Sequence, residues 1–482
     1  MSAQLAAIVC GFGVLGLYAL DRDRRDRLST ALWLPIVWLS IGSSRNIGEW
    51  LQTGGSAGDA AGRYLEGNPI DRAILTGFLV AGIVVLVRRG PRVGTLLRAN
   101  ALLLVYFAYC ALSILWSDYP FVAFKRWNRG LGDLVMVLII LSDRDWISAL
   151  RNVLSRVSFV LVPVSVLLIR YFPQMGRAYS RYEGRMFFTG ASTDKNGLGM
   201  ICLIFGLSSL WCLLSAMRSS KSRLRTRRLI AHGTILIMVA WLIHKADSAT
   251  SLACLVLAGG LLILTSSIAA ARRTAFVTAA IMGAVSFILY AVFLDSRGSL
   301  VGALGRDATL TGRTAVWELV LHFVGNPWIG SGFESFWLGR RLESILLNIP
   351  GLNEAHNGYL EVYLNLGWIG VVLLFLIIVS GFRTTVSALS RDANVGPIRL
   401  AYFVVGVLYN LTEAGFKMMS PIWITFLVAN MKSLKYQHSR DPLRDVPLSS
   451  GTSLEQESLL PLRESLAQND VSLILGPSCT SN

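Results

Sequence analysis

The chain alternates apolar runs of membrane-spanning length with polar connectors. About twenty apolar residues cross the hydrocarbon core of a bilayer as one helix, so the pattern predicts an all-α polytopic membrane protein with about twelve transmembrane helices. The runs at 30–48 and 129–142 are weaker in length or polarity, and a short run near 420–432 would complete a broken or re-entrant last helix. The runs are approximately 2–20, 30–48, 71–88, 98–116, 129–142, 149–171, 196–216, 229–246, 250–270, 274–294, 363–382 and 399–416.

Composition supports the membrane class and argues against nucleic acid as a partner. The 482 residues are 53% hydrophobic and only 15% charged, with a mean hydropathy of +0.55. Soluble domains carry about a quarter charged residues. The net charge of +16 comes from arginines in connectors between apolar runs. Membrane topology and anionic ligands explain arginines in such positions better than nucleic acid does.

The connectors are of two kinds, and this difference predicts which ends of the helices face the cytoplasm. Short arginine-rich connectors belong on the cytoplasmic side; they are 21–28, 88–98, 217–228, 271–273 and 383–399. Longer connectors rich in Gly, Asn and aromatic residues then face outward; they are 49–70, 117–128, 172–195 and 295–362. We therefore expect four regions: transmembrane helices over 1–294, a large structured outer loop over 295–362, transmembrane helices over 363–432 and a Ser-rich, disordered cytoplasmic tail over 433–482.

The large outer loop contains a predicted helix from Arg313 to Val324. Val316, Leu319, Val320 and Phe323 recur at the spacing of one helical face. Gly325-Asn326-Pro327 then ends the pattern, because proline cannot continue a helix.

Several other patterns do not predict a site. Gly11-Phe12-Gly13-Val14-Leu15-Gly16 fits a dinucleotide fingerprint but lies inside an apolar run without a preceding strand, so helix packing by small residues is the better interpretation. Asp21-Arg22-Asp23 and Asp143-Arg144-Asp145 are interleaved with arginine, and we interpret them as juxtamembrane polarity rather than metal ligands. The cysteines have no metal or disulfide spacing.

The outer connectors carry four polar motifs. One has Arg185 with Asp194-Lys195-Asn196 before a span, and a second is Thr311-Gly312-Arg313-Thr314-Ala315-Val316-Trp317. A third is His356-Asn357-Gly358-Tyr359-Leu360-Glu361 at the start of the next span. The fourth places Glu413 near the outer end of a late span.

Together these motifs resemble the O-antigen ligase and polymerase family, and the resemblance covers about 180–420. Ser117-Asp118-Tyr119-Pro120 with Lys125-Arg126, and the stretch from Glu66 to Arg72, look more like its exopolysaccharide-polymerase branch. The family pattern predicts His or another neutral residue at position 194, and Asp194 departs from it.

The resemblance implies glycan transfer from a polyprenyl-diphosphate carrier to an acceptor hydroxyl, without a cofactor or metal. The leaving diphosphate gains negative charge, and arginine offers permanent charge with a planar fork of donors. Arg185 and Arg313 are therefore the expected diphosphate clamps, with Lys195 as a third charge. His356, at a helix start near arginines, is expected to be neutral at pH 7 and to act as general base.

Further residues are expected to bind substrate. Asn357 and Glu361 would orient sugar hydroxyls, and Glu413 would hold the acceptor or serve as an ion-pair partner. Asn196 would bind substrate or cap its helix. Trp317 would stack on sugar or anchor the loop at the interface, and Arg126 would steer the anionic carrier.

The predicted activity is a polysaccharide polymerase of exopolysaccharide or O-antigen synthesis. The alternatives are a ligase that transfers glycan to a lipid A–core or other acceptor, a transporter of lipid-linked sugar, and a non-catalytic assembly factor. The absence of an internal repeat in the sequence argues against the transporter. The expected location is the bacterial inner membrane, with the site facing the periplasm. Expected partners are the lipid-linked oligosaccharide, membrane lipids, a flippase and a chain-length regulator.

Overall fold

A computed structural model describes residues 1–23, 29–51, 67–179, 184, 186–289 and 309–433. The described chain is mainly α-helical, as the apolar runs predict. The helices of the N-terminal part are α1 (Ala3–Asp21), α2 (Trp33–Gly42), α3 (Ile47–Trp50), α4 (Pro69–Arg88), α5 (Pro91–Ala99), α6 (Ala101–Leu112), α7 (Pro120–Leu141), α8 (Trp146–Tyr171) and α9 (Pro173–Gly176). Three 3₁₀ turns cover Thr30–Leu32, Ser113–Trp116 and Ala269–Arg272.

The C-terminal part contains the longest helix and the shorter helices of the outer loop. Its helices are α10 (Lys195–Arg218), α11 (Arg223–Ala246), α12 (Ala249–Ser267), α13 (Thr274–Leu289), α14 (Thr309–His322), α15 (Gly339–Asn348), α16 (Gly358–Arg391), α17 (Gly396–Tyr409) and α18 (Pro421–Asn430). One antiparallel hairpin joins β1 (Arg177–Tyr179) to β2 (Met186–Phe188), with Arg177 opposite Phe188.

Seven helices of the described residues are long and apolar enough to cross a membrane. They are α1, α4, α8, α10, α11, α12 and α16. The bent pair Pro91–Ala99 and Ala101–Trp116, which turns by 85°, would make an eighth span. Four shorter apolar helices add to these: Thr30–Gly42, Thr274–Ser286, Gly396–Tyr409 and Pro421–Asn430. The chain is an all-α, multi-pass membrane protein.

The centre of the bundle is α10, which is apolar on every side and buried over most of its length. Such a helix is typical of a position surrounded by other helices. It packs against α8, α11, α12 and α17. Trp211 near its end is fully buried, and its indole donates to the carbonyl of Asn394, 2.6 Å away.

The bundle has two chemically different ends. The 24 residues of α10 place Lys195 and Arg218 about 35 Å apart along its axis. Arg218 donates to the carbonyl of Ala393, so the connectors after α10 and α16 meet at one end, called here the arginine-rich end. The other end carries the start of α16 and the described parts of the outer connectors.

The two acidic pairs lie at the arginine-rich end and form ion pairs. Arg228 lies 3.4 Å from Asp21, and Arg89 lies 3.2 Å from Asp143. This agrees with their interpretation as juxtamembrane polarity. The interpretation of the glycines at 11–16 as helix packing is not supported, because a Cβ added to Gly11, Gly13 or Gly16 would meet no described atom within 4 Å.

Three sequence expectations require correction. Residues 120–128 are not a loop but the first turns of α7, because Pro120 at the first helical position suits a helix start. Residues 91–98 form α5 instead of a loop. Glu413 lies in the connector between α17 and α18 and not inside a span, although it is only 4% exposed.

The predicted helix of the outer loop is confirmed as α14. Val316 and Val320 are buried, and Leu319 and Phe323 pack beside them in a small apolar core separate from the bundle core. The rest of the loop before residue 309 and the tail after residue 433 lie outside the described residues.

Candidate functional site

The site is built where the outer loop enters α16. Asn357 caps this helix: its side-chain oxygen accepts from the backbone N–H groups of Tyr359 and Leu360, each at 3.0 Å. The residue before it, His356, adopts φ +49°, in the left-handed region. Such a conformation is costly for a residue with a side chain and persists where neighbours hold it.

The connector between α17 and α18 packs against the start of α16. The N–H of Gly358 lies 2.9 Å from the carbonyl of Asn410 and 3.0 Å from that of Glu413. The Asn410 side chain accepts from the N–H groups of Gly415 and Phe416, both at 2.8 Å. A Cβ at Gly358 would lie 1.8 Å from the Asn410 amide oxygen, so glycine is required for this close approach.

These two segments and α14 bring together five charged residues, called here the charge cluster. Its members are Arg313, Glu354, His356, Glu413 and Lys417. An Arg313 guanidinium nitrogen lies 2.9 Å from Glu413, whose second oxygen lies 3.3 Å from His356 Nδ1. The same Nδ1 lies 3.1 Å from Glu354, and Lys417 Nζ lies 2.7 Å from the other oxygen of Glu354. Cations and anions therefore alternate along the cluster.

The exposure of the cluster changes from one member to the next. The Glu413 side chain is 6% exposed, whereas those of Arg313, Glu354 and His356 are 25%, 25% and 35% exposed. The carboxylate of Glu413 also accepts from the Asn196 amide at 3.2 Å. Glu413 is thus the buried anchor, and the imidazole and guanidinium groups have faces open to a ligand.

The expectation that His356 is neutral is wrong for this structure. Burial alone would lower the pKa of His356, but the hydrogen bonds and charges of Glu354 and Glu413 outweigh it and raise the pKa from 6.5 to about 9. The sequence places arginines near this histidine, whereas the fold places two carboxylates on its Nδ1. At neutral pH the imidazole therefore carries a proton and a positive charge.

Glu354 and Lys417, the ion pair at one end of the charge cluster, are both strongly ionised. Burial alone would raise the pKa of Glu354, but the Lys417 charge and the His356 hydrogen bond hold it well below its ordinary value. Burial alone would lower the pKa of Lys417, but the Glu354 charge raises it instead. Both groups thus remain charged across the physiological range.

Glu354, His356 and Glu413 also form a possible metal-ligand set, with donor atoms within 4.8 Å of one another. Both carboxylates, however, already face a cation, Lys417 on Glu354 and Arg313 on Glu413. A divalent ion would have to displace these side chains and remove the proton from His356. The donor set fits an ion-pair network better than a metal site.

Other predicted residues support the loop that carries His356. The Glu361 carboxylate accepts from the Trp337 indole at 2.8 Å and from the N–H of Ala355 at 2.6 Å. The Trp317 indole donates to the carbonyl of Ala355, 2.9 Å away. The Asn357 amide donates to the carbonyl of Leu411 at 3.2 Å. These side chains hold the backbone before and after His356, so binding of sugar by Asn357, Glu361 and Trp317 stays a prediction.

A break in α16 binds another part of the outer loop, residues 326–336. Gly367 has φ +64°, and a Cβ there would lie 2.3 Å from the backbone carbon of Trp328. The N–H of Trp368 instead donates to the carbonyl of Pro327 at 2.9 Å. The Asn365 side chain accepts from the N–H groups of Ser335 and Phe336. Loop 326–336 is thereby held against the first turns of α16.

The remaining predicted residues lie in different positions. Arg185 lies outside the described residues. Lys195 is the exposed first residue of α10, beside Asn196. The cap of that helix is Asp194 rather than Asn196, because the Asp194 carboxylate accepts from the N–H of Gly197 at 2.8 Å. Arg126 on α7 donates to the carbonyl of Glu334, which ties it to the outer loop.

Sequence reasoning missed two members of the cluster, Glu354 and Lys417. Glu354 is two residues before His356, and Lys417 is four residues after Glu413. Charged residues so close to two candidate site residues are a signal that could have been used. Their pairing joins positions 63 residues apart and required the fold.

The fold and the site define a multi-pass membrane protein with a partly exposed ion-pair network at the end opposite its arginine-rich connectors. Residues 233–375 match the family model described as O-Antigen ligase. This segment is thus similar to the O-antigen ligase family, which confirms the resemblance carried by the sequence motifs. The segment contains Arg313, Glu354 and His356, while Asn196, Glu413 and Lys417 lie outside it.

Two curated proteins are similar to the chain over most of their lengths. The Exopolysaccharide production protein ExoQ of Rhizobium meliloti (strain 1021) is 25% identical over 325 residues, which cover 62% of this chain and 68% of that protein. A candidate polysaccharide ligase of Rickettsia felis (strain ATCC VR-1525 / URRWXCal2) is 22% identical over 347 residues, covering 67% and 78%. Both names concern polysaccharides, and the family relation supports a glycosyltransferase-like role in processing them.

Proposed function

We propose that the protein is a polysaccharide polymerase. It transfers glycan from a polyprenyl-diphosphate carrier to a sugar hydroxyl on the outer face of the bacterial inner membrane. The observation that carries this proposal is the charge cluster, in which the buried Glu413 carboxylate holds a guanidinium and an imidazolium at the end opposite the arginine-rich connectors. The similarity to an exopolysaccharide production protein supports a role in polysaccharide synthesis. The polymerase is proposed ahead of the ligase because the motifs around Asp118 and Arg126 resemble the exopolysaccharide-polymerase branch.

In the proposed reaction the acceptor oxygen attacks the anomeric carbon as the bond to the carrier diphosphate breaks. One direct displacement inverts the configuration at that carbon. Arg313 and the His356 imidazolium face the leaving diphosphate, with Lys195 and Arg185 as further cations. Fixed positive charge placed where negative charge develops is commonly worth several kcal/mol in the transition state.

The raised pKa of His356 changes the role proposed for it. A histidine that carries a proton at neutral pH donates a hydrogen bond or a proton to a leaving phosphate oxygen instead of accepting one from the acceptor. Transition states of glycosyl transfer have oxocarbenium character. The acceptor hydroxyl can therefore lose its proton late, after the diphosphate has left, and the released diphosphate takes up this proton, so the demand for a strong protein base is low. Glu354 and Glu413 position the cations in this scheme.

The proposal is tested with the purified full chain and the lipid-linked repeat unit of the producing cell. Wild type is expected to give a ladder of longer carrier-linked chains, detected by mass. We expect Arg313→Ala and His356→Ala to lose the ladder. His322→Ala and Arg340→Ala are matched controls, because both residues lie in the same outer loop, are exposed and are outside the charge cluster.

Each alternative gives a different result in this assay. A ligase would leave the unit unchanged until a lipid A–core acceptor is added. If neither acceptor gives a product, reconstituted vesicles loaded with the same lipid distinguish the transporter, which would move it across the bilayer, from an assembly factor, which would not. Full activity of Arg313→Ala or His356→Ala would contradict the proposed site. A flippase and a chain-length regulator remain the proposed protein partners.

The reaction is proposed to need no metal, because Lys417 and Arg313 already balance the carboxylates that could bind one. Ladder formation is expected to be unchanged after treatment with EDTA followed by gel filtration. Loss of product in EDTA, with recovery on adding back a divalent ion, would show instead that an ion joins Glu354, His356 and Glu413.

A further inference from the structure

A cavity lies far from the charge cluster, at the arginine-rich end. Its volume is roughly 790 Å³, which is in the range of sites for small molecules and headgroups. The end of α1, the first turns of α8 and the start of α11 form its walls. Arg151 of this cavity lies beside Trp211, near the end of α10 that is opposite Lys195.

The lining of this cavity is predominantly cationic. Four arginines face two aspartates there: Arg22, Arg151, Arg156 and Arg228 with Asp21 and Asp23. Both aspartates are directed to Arg228, at 3.4 and 3.6 Å, and Asp21 also lies 3.4 Å from His232 Nε2. Among the described residues, no carboxylate lies within ion-pair distance of Arg151 or Arg156. Their charges are therefore available to an anion.

Aromatic rings, not acids, hold these two arginines in place. The Arg156 guanidinium lies 4.8 Å from the ring centroid of Trp33, and that of Arg151 lies 5.3 Å from Trp211. Stacking of this kind uses the flat face of the guanidinium and leaves its N–H groups free to bind in the plane. The Arg151 Nε is buried and has no hydrogen-bond partner among the described residues, which indicates an acceptor still to be supplied.

The other lining groups fit a phosphate attached to a lipid. Ser148, Asn152 and Arg156 follow one another at four-residue spacing along one face of α8, so hydroxyl, amide and guanidinium donors form a row. Leu15 and Phe159 add an apolar wall, and Leu15 is 64% exposed. A free ion would make no favourable contact with this apolar wall, whereas an acyl chain would pack against it.

We propose that this cavity binds the phosphate group of an anionic phospholipid, with Arg151 and Arg156 as its main ligands. Basic pockets between transmembrane helices are suited to lipid phosphates, and arginine binds phosphate oxygens through paired donors. The proposal is independent of the reaction proposed for the charge cluster. A soluble diphosphate offers the same chemistry and is the other source of the ligand.

The test measures lipid binding to the purified full chain by native mass spectrometry and by the melting temperature. Phosphatidylglycerol, phosphatidylcholine and inorganic diphosphate are the probes. The variant Arg151→Gln/Arg156→Gln is compared with Arg92→Gln/Arg98→Gln, which removes two exposed arginines of α5 at the same end of the bundle. We expect the first variant to weaken phosphatidylglycerol binding about tenfold or more and the second to leave it unchanged.

The possible results distinguish a lipid ligand from a soluble diphosphate, and some of them would overturn the proposal. Raised melting temperature with phosphatidylglycerol alone supports a lipid site, and an equal rise with diphosphate supports the same pocket with a soluble ligand. Equal binding by both double variants, or equal binding of phosphatidylcholine and phosphatidylglycerol, would overturn the proposal. Should Arg151→Gln/Arg156→Gln fail to fold, Arg151→Lys/Arg156→Lys keeps the charge but not the fork of donors, and an unchanged phosphatidylglycerol affinity there would equally overturn it.

Discussion

At the scale of single residues, the chemistry depends on which charges surround His356. Its Nδ1 lies between Glu354 and Glu413, at 3.1 and 3.3 Å, and its backbone is held at φ +49°. Its charge and its direction are therefore set by the same two contacts.

The pH dependence of activity distinguishes the two roles of this histidine. The pKa of His356 is raised to about 9, so its positive charge is lost as pH rises through that value. If the charged form is the active one, glycan transfer falls as pH rises through about 9. If a neutral imidazole acted as base, transfer would rise over the same range. Initial rates from pH 6 to 10, with His322→Ala as the control, decide between them.

The same shift predicts how stability depends on pH. A folded-state pKa above the unfolded value means that His356 stabilises the fold fully below about pH 6.5 and that this contribution is lost as pH rises toward about 9. The melting temperature of the wild-type protein should therefore fall more between about pH 6.5 and 9 than that of the His356→Asn variant. Asparagine tolerates the left-handed backbone but does not titrate.

Removing the negative charge of Glu354 should shift this profile. Glu354→Gln leaves His356 with one carboxylate, and fewer anions near a cation lower its pKa. The descending limb of activity should move to lower pH by about one unit. Glu343→Gln, an exposed residue of α15, is the matched control. An unchanged profile in Glu354→Gln would contradict the positioning role of this residue.

At the scale of elements, the break in α16 connects the bundle to the outer loop. The sequence predicts a span over 363–382, whereas the helix runs over Gly358–Arg391 with a non-helical residue at Gly367. Periodicity alone does not reveal the break, because the residues on both sides are apolar. Backbone groups freed at the break bond to loop 326–336, as they must inside a membrane protein.

Substitution of the glycine at the break tests this connection. Gly367→Ala is expected to destabilise the protein by about 2 kcal/mol or more, since φ +64° is strained for alanine and its Cβ would meet the Trp328 backbone. Gly260→Ala in α12 is the control, because no described atom lies within 4 Å of the added Cβ. Denaturant unfolding in detergent measures both; an equal stability of the two variants would contradict the close approach.

At the scale of the whole molecule, the two ends of the bundle have different charges and different proposed roles. The charge cluster is proposed to face the periplasm, and the arginine-rich end with its lipid cavity is proposed to face the cytoplasm. A helix of 24 residues separates them, so a ligand at one end does not reach the other.

Cysteine labelling in intact cells tests this orientation. Lys195→Cys and Arg340→Cys are expected to react with a membrane-impermeant maleimide, since both positions are exposed at the end proposed to face outward. Arg92→Cys should react only after the cells are permeabilised, and the parent chain measures the background of the native cysteines. Labelling of Arg92→Cys alone in intact cells would mean that the orientation is reversed.

The sequence by itself determined the membrane class, the resemblance to the O-antigen ligase family, the arginine-rich end and the choice of Arg313, His356 and Glu413 as candidate site residues. These properties follow from apolar run length, the distribution of arginine and short motifs, all of which are local in the chain. It also predicted the α14 face correctly, because a helical repeat of apolar residues is local information.

Only the tertiary structure decided the charge of His356, the pairing of Glu354 with Lys417, the cap at Asp194 and the break at Gly367. The pKa of a group depends on the few charges within hydrogen-bond distance, and here they come from segments 57 and 63 residues apart in sequence. The motif shows which residues are present near the site, but the sign of the charge facing each one is fixed when the connector after α17 packs against the start of α16.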